Sequence, residues 1–143
     1  MIPFARSPED RILVADDMAE NTRLLAYGLA KGGYDYVHTT TEARAVRQMF
    51  DEVRPDIVLL DLHMPVMDGL AVMRELQAAN DGGPFLPIVI LTGDLSPDAR
   101  RTVLDAGAAD FIAKPFDMTE VLLRVRNLLA LRRLHVNLVS ENK

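Results

Sequence analysis

The sequence has no cysteine among its 143 residues, and aromatic residues make up only 6% of it. The lack of cysteine excludes a disulfide framework, a thiolate zinc site and a cysteine nucleophile, and it fits a reducing cytoplasm. Long apolar runs are missing as well, since none approaches the roughly 18 residues that cross a bilayer. The N-terminal segment lacks the apolar core of a secretory signal. We therefore expect a cytoplasmic chain without membrane association.

Basic residues are in the minority, so the net charge is −5 and the sequence pI is about 5.1. An acidic surface is unfavourable for non-specific binding to nucleic acid, and no direct nucleic-acid contact is expected from this chain. Hydrophobic residues at 49% and charged residues at 26% are ordinary for a globular protein. At this length the composition predicts one folded domain with a sizeable core.

Four short apolar runs, rich in isoleucine and valine, show no polar alternation; they lie at 11–15, 56–60, 86–91 and 110–113. Such runs are typical of strands buried on both faces of a parallel sheet. A fifth candidate at 36–40 is more polar and suits an edge strand.

Amphipathic stretches of helical length follow each run, at about 20–31, 41–53, 69–79, 96–107 and from 117 towards 138. Five strand–helix repeats predict an α/β fold with a doubly wound, five-stranded parallel sheet and five helices, the last of them extended. We expect a flexible N-terminal segment at 1–9, the domain at 10–131, and a C-terminal helical extension at 132–143.

Polar side chains stand at the carboxyl ends of four predicted strands: Asp16 and Asp17, Asp61, Thr92, and Lys114. In an open α/β sheet these ends share the edge where ligands bind. Two carboxylates about 4 Å apart repel by about 4 kcal/mol at an effective dielectric near 20. Lys114 offsets part of this charge, and a divalent cation would offset the rest. With no cysteine and few histidines, oxygen ligands favour Mg²⁺ over Zn²⁺.

A metal-bound carboxylate, an ammonium group and a hydroxyl together can bind a phosphoryl group, because they neutralise its charge and donate hydrogen bonds to it. Taken singly, the residues are weak signals. Asp16 and Asp17 could simply cap the first helix, and Lys114 could be a solvated loop charge. Their joint placement on four strand ends favours a site.

These residues lie in four motifs that follow one another along the chain: Val14-Ala15-Asp16-Asp17, Leu60-Asp61-Leu62-His63-Met64-Pro65-Val66-Met67-Asp68-Gly69, Leu91-Thr92-Gly93 and Phe111-Ile112-Ala113-Lys114-Pro115-Phe116. Over about 11–131 the sequence resembles the receiver domain of two-component response regulators, the CheY-like superfamily. The resemblance implies a flavodoxin-like sheet with strand order 2-1-3-4-5. It also implies a phosphorylation-dependent signalling switch rather than an enzyme with an external product.

The same resemblance assigns roles to the acidic residues. Asp61 would accept the phosphoryl group from a sensor histidine kinase or a phosphotransfer protein. Asp17 and Asp61 would bind Mg²⁺, with the backbone carbonyl of His63 as a further ligand and Asp16 acting mostly through water.

Further positions would hold the phosphoryl group or transmit the signal. Thr92 and Lys114 would bind the phosphoryl oxygens, and the peptide bond between Lys114 and Pro115 is expected to be cis. Phe111 matches an aromatic switch position, where phenylalanine lacks the hydroxyl needed for an outer hydrogen bond. His63 and Asp94 match positions that tune hydrolysis of the acyl phosphate, and whether His63 slows or assists the water stays open.

Two kinds of partner are expected beyond the kinase: a second copy of the chain bound through the fourth and fifth helices, and an output domain or protein of unknown identity. The last helix continues past Leu131 with Leu134, Leu138 and Val139, farther than the sheet needs. We expect these apolar side chains to be exposed and to relay the signal. The arginines of the last two helices are expected mainly on solvated faces: Arg100, Arg101, Arg124, Arg126, Arg132 and Arg133.

Three alternatives share part of this pattern. A phosphatase with an aspartyl nucleophile would use Mg²⁺ and a lysine, but it would need a second acid where His63 stands and a capping insertion. A flavin-binding electron carrier would share the fold, but Asp16 and Asp17 would repel its phosphate. A receiver that binds partners without phosphorylation is disfavoured because all the motif residues are present.

Overall fold

The computed structural model describes residues 9–141, with side chains up to residue 138, so the predicted flexible segment at 1–9 lies almost entirely outside the described residues. Strands and helices alternate along this part of the chain. The strands are Arg11–Ala15 (β1), Tyr36–Thr40 (β2), Ile57–Asp61 (β3), Ile88–Thr92 (β4) and Asp110–Ala113 (β5). The helices are Ala19–Lys31 (α1), Val46–Val53 (α2), Gly69–Ala79 (α3), Pro97–Asp105 (α4) and Met118–Glu141 (α5).

The second helix begins later than the sequence predicts. A 3₁₀ segment, Ala43–Ala45, precedes α2, which starts at Val46. The backbone of Glu42 is extended, and its N–H donates to the hydroxyl oxygen of Thr40. A side-chain hydrogen bond of this kind competes with helix formation, so the predicted start at residue 41 is wrong.

All strand pairs in the sheet are parallel, and the strand order is β2-β1-β3-β4-β5, as predicted. Every residue of β3 and β4 is buried, whereas Tyr36 on the edge strand β2 is half exposed. The central strands therefore have no solvent-facing side, which explains their uniform apolar sequence. Asp61 and Thr92 are the last residues of β3 and β4, so they belong to the strands rather than follow them.

Apolar cores cover both faces of the sheet, as a doubly wound fold requires. One core includes Val72, Leu76 and Val103 from α3 and α4. The other includes Leu25 from α1 and Val125 from α5. Among the helices at residues 9–141, none combines the length and the apolar character that crossing a membrane needs.

The extended last helix is present, since α5 runs for 24 residues to Glu141. Beyond the part that packs on the sheet, Leu131, Leu134 and Leu138 are 53%, 42% and 59% exposed. The predicted exposure of apolar side chains is therefore observed as far as residue 138, while the side chain of Val139 lies outside the described residues.

Two arginines in this helix are bound to the domain rather than solvated. Arg132 pairs with Asp56 at 3.1 Å, and Arg133 pairs with Asp10 at 3.0 Å. Both acids stand just before a strand, at the amino edge of the sheet. The expectation of solvated faces is wrong for these two arginines, because acids distant in the sequence are brought to them by the fold.

Candidate functional site

The polar residues at the carboxyl ends of the strands meet at one edge of the sheet. Asp16 and Asp17 follow β1, Asp61 and Thr92 close β3 and β4, and Lys114 follows β5. Asp16, Asp61 and Thr92 are buried. Because these strands are neighbours in the order β1-β3-β4-β5, side chains from distant parts of the chain share one site.

Lys114 joins the two buried aspartates. Its Nζ lies 3.0 Å from Oδ1 of Asp61 and 3.0 Å from Oδ2 of Asp16. The peptide bond between Lys114 and Pro115 is cis, as the resemblance implies. The interpretation of this lysine as a solvated loop charge is therefore excluded.

The two carboxylate oxygens of Asp61 have different surroundings. Oδ1 accepts hydrogen bonds from Nζ of Lys114 and, at 3.3 Å, from the backbone N–H of His63. Oδ2 is buried and has no hydrogen-bond partner within residues 9–141. A buried polar atom without a partner is costly, so Oδ2 is the oxygen best placed to gain from an incoming group.

Asp16 is held in place by donors of its own. Its Oδ1 accepts a hydrogen bond from the backbone N–H of Met18 at 3.0 Å, and Nδ2 of Asn21 lies 3.2 Å from both of its oxygens. Asp16 thus orders the chain at the start of α1 and also contributes charge to the site. Asn21 is not among the residues predicted for the site, and its position five residues after Asp16 is the signal that could have revealed it.

The three aspartates form a group that can hold a cation. One oxygen from each of Asp16, Asp17 and Asp61 lies within 4.8 Å of the others, and Asp17 is the most exposed of the three. All these donors are hard oxygens, which Mg²⁺ prefers, and Oδ2 of Asp61 still lacks a partner in the described structure. The residues therefore fit a magnesium ion.

Burial and neighbouring charges both set the ionisation of the site. Burial raises the pKa of Asp61 to about 6; Asp17 and Asp16 add to this increase, and Lys114 opposes it. For Lys114, burial alone would lower the pKa, but hydrogen bonds to Asp61 and Asp16 outweigh burial and raise the pKa above the usual lysine value. The lysine stays charged, and ionised Asp61 carries a free-energy cost.

Three further residues of the predicted site border the acceptor on loops and strand ends. Oγ1 of Thr92 accepts a hydrogen bond from the N–H of Asp94 at 3.0 Å. Hydrogen bonds from Ser96 lower the pKa of Asp94, which accepts from the Ser96 N–H at 3.0 Å. His63 is exposed and lines an open pocket with Asp94 beside α4. Their parts in phosphoryl binding and hydrolysis remain predictions.

Two arginines that are expected mainly on solvated faces contact strand β5. The guanidinium carbon of Arg100, from α4, lies 4.7 Å from the centroid of the partly buried Phe111 ring. Arg124, from α5, pairs with Asp110 and with Glu120. Arg100 is exposed, as expected, although it contacts a ring; the expectation of a solvated face is wrong for Arg124, which is only partly exposed and is ion-paired within the domain.

The first residue of α3, Gly69, packs against the end of β3. A Cβ atom at this position would overlap the carbonyl oxygen of Asp61 and would lie 2.8 Å from Cα of Leu62. The N–H of Gly69 donates to the carbonyl of Leu62 at 2.7 Å. Only glycine allows this approach, so Gly69 helps to fix the backbone that carries Asp61.

The sequence matches the family described as Response regulator receiver domain over residues 12–126, which include the whole candidate site. The chain belongs to this family. Receiver domains are parts of signalling proteins, and this membership argues against the phosphatase and the flavin carrier that the sequence left open.

Relatives of this receiver domain occur in mycobacteria. It is 37% identical over 122 residues to Transcriptional regulatory protein PrrA of Mycobacterium tuberculosis, covering 85% of this chain and 51% of PrrA. It is 41% identical over 119 residues to Response regulator MprA of Mycolicibacterium vanbaalenii, covering 83% of this chain and 50% of MprA. The chain therefore spans about half the length of these relatives.

Solved structures share the fold of this receiver domain. Chemotaxis protein CheY4 of Vibrio cholerae superposes with a TM-score of 0.77 at 25% identity, covering 83% of this chain and 98% of CheY4. NtrX of Brucella abortus superposes with a TM-score of 0.81 at 27% identity, covering 93% of this chain and 29% of NtrX. These matches confirm the predicted fold class.

Proposed function

We propose that this receiver domain accepts a phosphoryl group on Asp61 from a phosphohistidine of a sensor histidine kinase or a phosphotransfer protein. The contrast between the two oxygens of Asp61 carries the proposal. Lys114 binds Oδ1, whereas Oδ2 is buried and has no hydrogen-bond partner in the described part of the chain. Oδ2 is the nucleophile in this proposal.

The transfer exchanges one bond to phosphorus for another. Oδ2 of Asp61 bonds to phosphorus as the bond from phosphorus to the histidine nitrogen breaks, and that nitrogen leaves with the electron pair. The ammonium group of Lys114 donates hydrogen bonds to the phosphoryl oxygens, and the hydroxyl of Thr92 is the further donor at this edge. Both groups stabilise negative charge where it develops.

A magnesium ion would be held by the three aspartates and one backbone carbonyl group. Asp17 and Asp61 would bind it directly, Asp16 mostly through water, and His63 through its backbone carbonyl. When bound, the ion supplies positive charge that offsets the carboxylates and the phosphoryl oxygens. The three carboxylates, one oxygen of each lying within 4.8 Å of the others, support this part of the proposal.

Hydrolysis of the aspartyl phosphate restores the resting state. Water attacks phosphorus in the aspartyl phosphate, which releases inorganic phosphate and regenerates the carboxylate of Asp61. His63 and Asp94 follow the ends of β3 and β4 and line one pocket beside α4, so we assign to them the tuning of this hydrolysis. The domain would catalyse only its own phosphorylation and dephosphorylation.

Phosphorylation replaces the single negative charge of the Asp61 carboxylate with a phosphoryl group that carries about −1.5 to −2 charges at the carboxyl edge of the sheet. We expect Thr92 to move towards the new group and Phe111 to rotate, which alters the face formed by α4, β5 and α5. This face would contact an output domain, a partner protein or a second copy of the chain. Residues 10–131 would form the switch, and the C-terminal segment at 132–143, which continues α5, would link it to an output domain. We expect phosphorylation of Asp61 and the resulting switch to occur in the cytoplasm.

Phosphorylation by acetyl phosphate and Mg²⁺ tests the proposal by intact mass. The native chain should gain a single phosphoryl group, and Asp61→Asn should gain none. Asp51→Asn changes an exposed carboxylate on α2 and should gain mass like the native chain. A native chain that stays unmodified, or Asp61→Asn modified at the native rate, would contradict the proposal.

A further inference from the structure

The ring of Phe111 and the guanidinium group of Arg100 form a contact that the proposed phosphoryl transfer does not use. Phe111 lies on β5 and packs against the core on the α3 and α4 side, but it is only partly buried. The guanidinium carbon of Arg100, on α4, lies 4.7 Å from the ring centroid. This distance is within the range of a cation–π interaction.

We propose that Arg100 is a positioning residue that holds the Phe111 ring in its partly buried position and thereby opposes the switch. This inference rests on the proposed function, in which Phe111 rotates after phosphorylation of Asp61. A phenylalanine ring has no hydroxyl group with which to anchor its outer edge. A cation over its face is an anchor that the ring can use, because the face of the ring carries negative charge density.

The contact between Arg100 and the Phe111 ring stabilises the resting arrangement relative to any arrangement in which the ring has moved away from Arg100. Removing it therefore shifts the equilibrium towards the switched arrangement, by about two- to fivefold for an exposed cation–π pair. A ligand that binds the switched arrangement better gains apparent affinity by the same factor, provided that the resting arrangement predominates.

Long-range electrostatics predicts the opposite change in anion binding when Arg100 is removed, so the two explanations can be distinguished. Arg100 carries a positive charge, so its removal should weaken the binding of an anion at Asp61 if long-range attraction were its role. Arg101 is the matched control, because it stands next to Arg100 on α4, is exposed and carries the same charge. Only release of the Phe111 ring makes loss of Arg100 strengthen anion binding.

The experiment measures the apparent affinity for beryllofluoride, a phosphoryl mimic, in saturating Mg²⁺ by titration calorimetry. Arg100→Ala should bind about two- to fivefold more tightly than the native chain. Arg101→Ala should bind no more tightly than the native chain. Arg100→Lys keeps a cation and should restore affinity close to the native value. In the Phe111→Leu variant, which has no ring, adding Arg100→Ala should produce no gain.

The outcomes separate this inference from the proposed function. A native chain that does not bind beryllofluoride overturns the proposed function and, with it, the switch on which Arg100 would act. If the native chain binds, equal or weaker binding by Arg100→Ala overturns the inference alone. A gain that Arg101→Ala shares, or that persists in the Phe111→Leu variant, also overturns it.

Discussion

Arg132 and Asp56 join parts of the chain that are 76 residues apart, with Nε of the arginine 3.1 Å from Oδ1 of the aspartate. Arg132 also donates a hydrogen bond to the backbone carbonyl of Phe85, and His135 accepts one from the N–H of Phe85. With the neighbouring pair of Arg133 and Asp10, these contacts attach α5 to the amino edge of the sheet.

Breaking the attachment at Arg132 should cost stability. Arg132→Ala removes an ion pair and a charged hydrogen bond, both partly buried, and we expect a loss of about 1–2 kcal/mol in the free energy of unfolding. Urea denaturation measures this change. Arg126→Ala removes an exposed arginine from the same helix and should change the free energy by about 0.5 kcal/mol or less. Equal losses in both variants would show that the attachment contributes nothing of its own.

Magnesium should stabilise the native chain because it relieves repulsion among the carboxylates of Asp16, Asp17 and Asp61. At a free concentration about ten times Kd, linkage predicts about 1.4 kcal/mol and a rise of a few degrees in melting temperature. Asp17→Ala should melt higher than the native chain without metal and lose the response to Mg²⁺. Glu20→Ala, an exposed acid in the first turn of α1, should keep the response. An unchanged native melting temperature in saturating Mg²⁺ would count against the metal site.

The charge of Asp61 should make the metal-free protein less stable as the pH rises. Burial raises the pKa of Asp61 to about 6 in the folded state, from an ordinary value of 3.8, so the folded chain binds the proton more tightly than the unfolded chain. This contribution to stability is complete below about pH 4 and is lost as the pH rises through about 6. In metal-free buffer that contains a chelator, Asp61→Asn should therefore melt at a higher temperature than the native chain at about pH 7.5. The difference between the two melting temperatures should shrink towards about pH 5.

The control for this pH dependence is Asp81→Asn, which removes an exposed carboxylate from the loop after α3. Its melting temperature should follow that of the native chain across the same range. A gap between Asp61→Asn and the native chain that is constant with pH would mean that burial of the Asp61 charge is not its cause.

A methyl group at Gly69 should disturb both the fold and the acceptor. Gly69→Ala would place Cβ against the carbonyl oxygen of Asp61 and Cα of Leu62. Both are backbone atoms, so neither can move without shifting the end of β3. We expect a loss of about 1–3 kcal/mol in the free energy of unfolding and slower phosphorylation by acetyl phosphate. Gly93→Ala is the control for stability, since a Cβ there would have no neighbour within 4 Å. Native stability and native rate in Gly69→Ala would refute the close approach.

The strands and the candidate site could be predicted because both depend on regular patterns. Uniform apolar runs predict buried parallel strands, and parallel strands place their carboxyl ends at one edge. Asp61 and Lys114 were therefore expected to meet, although 53 residues separate them. The start of α2 could not be predicted from such patterns, because the backbone of Glu42 is extended there and its N–H donates to the side chain of Thr40.

The arginine contacts could not be predicted, because nothing near an arginine in the sequence marks its partner. Arg133 reaches Asp10 across 123 residues, and Arg100 reaches the face of Phe111 only once α4 has packed beside β5. Asn21 is a milder case, since its partner Asp16 is close in sequence but the amide side chain has several other uses at the start of a helix. Such pairings depend on tertiary geometry rather than on periodicity.

The continuous helix α5 also has a mechanical consequence. It begins four residues after Lys114, at the carboxyl edge of the sheet, and reaches Arg132 at the amino edge about 21 Å later, at about 1.5 Å per residue. It contains no proline or glycine at which it could bend. The helix is therefore a rigid connection between the two edges of the sheet. We expect a tilt of α5 beside Lys114 to displace the helix where it contacts Asp56 and Asp10.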